Sequence, residues 1–159
     1  MGKESKTNAM RKLDSLKISY EKYYFEVSEG MTGVDTANIL NEDPDTVFKT
    51  LVTEAGSGNH YVFLVPVAKE LDLKKAAAAV GEKSVSMLKS KELLGLTGYI
   101  HGGCSPIGMK KFFRTVIHSS AAEFDTIIFS GGKRGFQIRL SLSDLSKVIS
   151  FELGDIIRE

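Results

Sequence analysis

The sequence contains no tryptophan, one cysteine, three prolines and three histidines in 159 residues. The single cysteine, Cys104, excludes an internal disulfide framework and fits a reducing compartment. The histidines, His60, His101 and His118, lie far apart, and none has a cysteine or acid at ligand spacing, so a zinc site has no support. No apolar run approaches the ~18 residues that a membrane span requires. Met1 to Lys6 lack the apolar stretch of a secretory signal, so a cytoplasmic protein with no membrane partner is expected. The phosphate-binding P-loop, the G-x-G-x-x-G dinucleotide fingerprint and the G-x-S-x-G nucleophile elbow are all missing. Neither a metal nor a cofactor is expected.

Charge, by contrast, is plentiful and unevenly placed. The net charge is +1, yet Glu26 to Phe48 carries six acidic residues and no basic one, while Lys69 to Arg114 carries nine basic and four acidic residues. Such polarity either forms a basic face that attracts a polyanion or reflects ordinary solvated helix faces.

Helical and extended periodicities are mixed along the chain. Thr7 is placed to cap a helix bearing Ala9, Met10, Leu13 and Leu16 on one stripe. Ile18 to Phe25 reads as a strand, Thr32 opens a short helix, and Asp43-Pro44-Asp45 is a helix-start signal. Phe48–Thr53 and the very apolar His60–Val67 flank the turn Gly56-Ser57-Gly58-Asn59 and predict a hairpin. A helix is expected from Asp72 to Val80 with Gly81 as its cap, then a strand at Val85–Leu88 and a helix around Lys91–Leu94. A glycine-dense loop spans Thr97 to Gly108. Strands follow at Arg114–His118, Thr126–Phe129 and Phe136–Leu140, then a helix over Asp144–Ile149 and a short tail at Asp155–Arg158. The order does not alternate strictly enough for a doubly wound sheet. The expected fold is one α/β domain over 1–159, with a mixed, barrel-like sheet flanked by helices.

Three features bear on chemistry. Lys49 sits among Phe48, Leu51 and Val52, where its long stem either snorkels to the surface or carries the ammonium into a cavity. Gly102-Gly103-Cys104-Ser105-Pro106-Ile107-Gly108 implies a tight backbone that can aim N–H groups at an oxyanion, although a surface loop can have the same composition. Ser130-Gly131-Gly132-Lys133-Arg134-Gly135 is either a plain hairpin turn with solvated charges or a grip for phosphate. Cys104 is more simply a small buried hydrophobe than a nucleophile.

Taken in order, Phe48-Lys49-Thr50-Leu51, Leu71-Asp72-Leu73-Lys74-Lys75-Ala76, Gly98-Tyr99, Gly102-Gly103-x-Ser105-Pro106-x-Gly108 and Ser130 to Gly135 make the chain resemble the YbaK/EbsC family over roughly Thr7 to Ile157. The resemblance implies a trans-editing deacylase that clears Cys-tRNA(Pro), with charged tRNA and prolyl-tRNA synthetase as partners. It also implies attack by the substrate's own thiol on its ester carbonyl, releasing a cyclic thiolactone. Lys49 takes the place of the family's catalytic lysine. Substrate contacts would fall on Phe25, Thr50, Gly102, Gly103, Ser105, Pro106, Gly108, Ser130, Gly131, Lys133 and Arg134. Relatives commonly have tyrosine where this chain has Phe25, and some have isoleucine in place of Cys104. The alternatives are a deacylase of another mischarged tRNA, such as Ala-tRNA(Pro), and a non-catalytic tRNA- or synthetase-binding module.

Overall fold

The computed structural model describes residues 6–159. Helix α1 (Asn8–Ser15) starts where Thr7 accepts a hydrogen bond from the Met10 N–H, and it buries Ala9, Met10 and Leu13. Strand β1 (Glu21–Tyr24) is shorter than the Ile18–Phe25 expected. Helix α2 (Gly33–Ile39) opens on a reciprocal box in which Thr32 and Asp35 each satisfy the other's backbone N–H. One 3-10 turn, Pro44–Thr46, leads into β2 (Phe48–Ala55), which pairs antiparallel with β3 (His60–Pro66) from Phe48↔Pro66 to Glu54↔His60.

Helix α3 (Leu73–Val80) is bounded by signals read in the sequence. Asp72 accepts from the Lys74 and Lys75 N–H groups, and Gly81 ends it at φ 74°. Strand β4 (Val85–Met87) and helix α4 (Ser90–Thr97) follow, then β5 (Arg114–His118), β6 (Ile127–Lys133), β7 (Phe136–Leu140), α5 (Leu142–Leu145) and β8 (Glu152–Gly154). No local signal marks β8, since Glu-Leu-Gly has little intrinsic strand preference. It forms by parallel pairing with β5, reinforced by Arg114, which donates to both Glu152 carboxylate oxygens at 2.7 and 3.1 Å. The last helix starts two residues earlier than expected because Ser141 caps it through the Asp144 N–H.

The strands form two sheets, β1-β7-β6 and β4-β2-β3-β5-β8, rather than one continuous closed wall. They meet at a parallel bridge between Val47 and Ile128. β3 is buried on both faces from Tyr61 to Pro66, which accounts for its unbroken apolar run. Its one face joins the main core of Phe48, Leu64, Phe129 and Phe136, and the other packs under α3 with Phe63, Val65 and Val80. Beyond the Val47–Ile128 bridge, β2 and β6 diverge and leave a gap.

Candidate active site

Backbone pairing along β2 fixes what faces that gap. The Val47 carbonyl accepts from the Val67 N–H at 2.8 Å, and the Ala55 N–H donates to the Asn59 carbonyl at 2.8 Å, so the odd-numbered residues bond toward β3. The even-numbered residues face the other way: the Val52 carbonyl accepts from the Leu88 N–H at 3.0 Å. Thr50 lies between the Val52–Leu88 bond and the Val47–Ile128 bridge, and its peptide N–H and C=O point away from β3. A cavity of about 520 Å³ fills the space beside it. Phe48, Thr50 and Val52 from one face of β2 and Lys49 and Leu51 from the other all line it. Successive side chains of a strand point to opposite faces, so the cavity wraps around the strand's edge.

Two side chains on this edge stand out. Lys49 is 28% exposed, and its ammonium lies 3.5 Å from the Glu70 carboxylate at the rim. The Thr50 hydroxyl oxygen is buried and has no hydrogen-bond partner among the described residues. Native proteins seldom leave such a group unsatisfied.

The opposite wall comes from the two glycine-rich segments, but only part of each reaches the cavity. Gly102, Cys104, Ser130 and Arg134 line it. The others do structural work. The Gly103 N–H, expected to face substrate, instead donates to the Ile100 carbonyl at 3.0 Å, and a Cβ at Gly103 would lie 2.9 Å from the Arg134 N and the Lys133 Cα. Ser105 and Pro106 are buried, and the Ser105 hydroxyl oxygen accepts from the Ile107 N–H at 3.3 Å. Gly108 packs against the first turn of α1. Gly131 lies against the Phe136 ring, and its carbonyl accepts from the Thr7 hydroxyl at 2.7 Å. Gly131 and Gly132 thus form the irregularity in β6 between Ser130 and Lys133. Lys133 does not line the cavity; its ammonium lies 5.9 Å from the centre of the Tyr24 ring.

Phe25 reaches the cavity, and its N–H donates to the Gly135 carbonyl at 3.0 Å. The neighbouring tyrosines do not supply a hydroxyl there. Tyr23 accepts from Arg139 Nε at 2.8 Å, and Tyr24 stacks on Phe136 at 4.8 Å. Sequence reasoning missed a third wall: Val27, Met31, Thr32 and Thr36 from the segment entering α2, with Met87, Ser90, His101 and Gln137 beside them. Thr32 was legible as a helix cap, but nothing local indicated that α2 covers the end of β2.

The aminoacyl-tRNA editing domain pattern matches residues 27–148. The chain is 42% identical to the Enterococcus faecalis protein named "Putative Cys-tRNA(Pro)/Cys-tRNA(Cys) deacylase EbsC" over 96% of this chain and 94% of the relative. The chain belongs to the aminoacyl-tRNA editing domain family. Solved structures agree in fold. That of "a putative trans-editing enzyme for prolyl tRNA synthetase" superposes with a TM-score of 0.83 at 21% identity, covering 98% of this chain and 100% of the other. A scaffold from the computational grafting of linear epitopes gives a TM-score of 0.85 at 20% identity, covering 96% of each chain.

In this editing domain, Cys104 is poorly suited to attack an ester. Burial pushes its thiol up to about 12, against a smaller lowering by a hydrogen bond with Thr97, so it stays protonated near neutral pH. Cys104→Ala is therefore expected to retain most turnover, with a stability cost of order 1 kcal/mol for the lost packing. Steady-state deacylation and a thermal melt check this. A folded but inactive variant would make the enzyme's own thiol the nucleophile.

Proposed function

We propose that the chain is a cytoplasmic trans-editing deacylase that clears Cys-tRNA(Pro), with charged tRNA as substrate, prolyl-tRNA synthetase as partner, and residues 1–159 acting as one domain. The observation that carries this reading is the cavity at the β2 edge. At about 520 Å³ it is within the ~300–1,000 Å³ range of small-ligand sites, suited to a terminal aminoacyl-adenosine and too small for the tRNA body. Its wall offers a lysine, an outward peptide group and a hydroxyl without a partner among the described residues, while its one thiol is held protonated.

An aminoacyl ester needs little activation, so positioning and stabilisation of the developing oxyanion suffice. The substrate's thiol sulfur forms a bond to its own ester carbonyl carbon, the bond from that carbon to the ribose oxygen breaks, and the thiol proton passes to the ribose oxygen. A cyclic thiolactone leaves, and no protein nucleophile takes part. Lys49 holds the terminal adenosine or its phosphate and orients the ester. An alanyl or prolyl ester carries no thiol and is spared.

The test is deacylation of Cys-, Ala- and Pro-charged tRNA(Pro), with and without exhaustive chelation. Among the described residues, no cluster of His, Cys, Asp and Glu forms a metal-ligand set. Fast, chelator-resistant cleavage of the cysteinyl ester alone is expected. Equal cleavage of the alanyl ester would make the activity a broader hydrolysis, and loss of turnover restored by zinc would overturn the metal-free chemistry.

Of the nine basic residues between Lys69 and Arg114, Lys75 pairs with Asp155 and Glu159, Arg114 pairs with Glu152, and the Lys110 ammonium donates to the Gly95 carbonyl at 3.4 Å. Arg134 is exposed at the cavity, with its side chain beside Gly102. Arg134→Glu is expected to weaken binding of charged tRNA and reduce the magnitude of its log–log salt slope by about 1, as loss of one phosphate contact does. Lys133→Glu should change it less, and a titration of both variants at several salt concentrations separates them. An unchanged slope in Arg134→Glu would put the RNA on another face.

A further inference from the structure

The proposed function leaves open what recognises the part of the substrate common to every aminoacyl ester. Thr50 supplies a specific answer. Its N–H and C=O lie on the same side of β2, directed away from β3, where β4 pairing has stopped and β6 has diverged. That is the hydrogen-bonding face of a strand residue awaiting an antiparallel partner, which exchanges two bonds with it. An aminoacyl ester carries an α-ammonium and a carbonyl oxygen on adjacent carbons, in the arrangement of one strand residue.

We propose that the aminoacyl group docks on the β2 edge as a single added strand residue, with the Thr50 N–H donating to the ester carbonyl oxygen and the Thr50 C=O accepting from the α-ammonium. This rests on the editing reading above and gives it a recognition mode, strand addition. The Thr50 N–H then stands where negative charge develops on the carbonyl oxygen as the thiol attacks. Paired residues on adjacent strands place their side chains on the same face. The substrate's side chain therefore projects on the face of Phe48, Thr50 and Val52, where Cys104 also lines the cavity. The buried Thr50 hydroxyl, without a partner among the described residues, lies on that face and hydrogen-bonds the substrate's thiol. One residue thus reads the backbone of the ester through its peptide group and its side chain through its hydroxyl.

The test replaces the Thr50 amide by an ester linkage, which deletes the N–H and leaves the side chain. The same replacement at Thr53 is the control, because its N–H is on the β3 side of β2 and the residue does not line the cavity. The Thr50 ester is expected to lower kcat for Cys-tRNA(Pro) by about 100-fold, the effect of removing one oxyanion donor, with KM changing much less. The Thr53 ester should lower the melting temperature and keep kcat. A folded Thr50 ester variant with wild-type kcat overturns the proposal.

A second measurement does not depend on turnover or on that variant's folding. Wild-type protein labelled with 15N is titrated with a 3′-amide-linked cysteinyl-adenosine and, separately, its alanyl counterpart. A downfield shift of the Thr50 amide with either compound supports strand addition, even if Cys-tRNA(Pro) proves not to be the substrate. Binding of either with the Thr50 amide unmoved, or failure of both to bind, overturns it. Thr50→Val, which keeps the peptide group, should leave the amide shift intact and reduce the preference for the cysteinyl compound over the alanyl one by several-fold. An unchanged preference overturns the role given to the hydroxyl.

Discussion

Lys49→Ala is expected to lower kcat/KM for the cysteinyl ester by about 100-fold or more while moving the melting temperature by no more than a few degrees. The two parts of this expectation have separate causes. The ion pair with Glu70 spans 3.5 Å, and the glutamate side chain is 73% exposed, so solvent screens the attraction. Exposed pairs of this kind contribute about 0–1 kcal/mol, and the fold does not depend on this one. Its stem shares a face of β2 with Leu51, opposite Val65 in the register, so truncation sheds some packing but opens onto an existing cavity. The loss of the ammonium acts differently on the editing reading proposed above, because it removes the preorganised group that holds the terminal adenosine or its phosphate and orients the ester. A 100-fold loss corresponds to about 2.7 kcal/mol of transition-state stabilisation.

Two companion variants keep the result interpretable. Glu70→Gln should preserve turnover, since the rim carboxylate only partners the resting lysine. Lys49→Arg should recover part of the loss, because a planar fork replaces a point charge without reproducing its position. Steady-state kinetics and thermal melts on the three proteins decide the matter. Near wild-type turnover in Lys49→Ala would make Lys49 a rim lysine that snorkels along apolar surface.

Legibility in the sequence followed the range of the forces involved. Thr7, Thr32, Asp72 and Gly81 mark helix ends through bonds to residues a few positions away, so their roles could be read from local spacing. The β2–β3 hairpin was legible for the same reason. By contrast, β8 depends on pairing with a strand far earlier in the chain, and no local preference announces it. The site divides along the same line. Lys49 could be singled out as a charge within an apolar strand. That Thr50 presents its peptide group to a cavity follows only from where β4 stops and β6 diverges. Val27, Met31 and Thr36 join the lining because α2 packs over the strand end, with Val67 so close to Gly33 that a Cβ there would lie 2.7 Å away. The glycine-rich segments show the converse difficulty. A motif records that residues are constrained, not whether substrate or scaffold imposes the constraint. Gly102 faces the cavity, whereas Gly103, Ser105 and Gly108 hold the loop in place.

That division yields the second large effect, on stability. Gly108 adopts φ +80°, and an added Cβ would lie 2.8 Å from both the Asn8 carbonyl carbon and the Tyr99 hydroxyl, and 2.9 Å from the Ala9 nitrogen. Two of those atoms are backbone of the first turn of α1 and cannot rotate aside. The Tyr99 hydroxyl is itself held, donating to the Ile107 carbonyl at 2.6 Å. Gly108→Ala therefore combines a left-handed backbone cost of roughly 1–2 kcal/mol with an overpacking cost of about 1–3 kcal/mol. For a chain of this size, at about 2–4 °C per kcal/mol, the melting temperature should fall by roughly 5–15 °C. Gly102→Ala is the informative contrast within the same loop. Its φ of +86° carries a similar backbone strain, but the nearest atom is Arg134 Nε at 3.3 Å, on a long side chain that can swing away. The expected result there is a smaller melting shift and a raised KM, because Arg134 is displaced at the cavity mouth. Kinetics measured well below both melting temperatures should find folded Gly108→Ala near wild-type kcat and Gly102→Ala impaired in binding. If Gly108→Ala melts like wild type and loses activity instead, the contact with α1 does not hold the loop, and Gly108 belongs with Gly102 in contact with substrate.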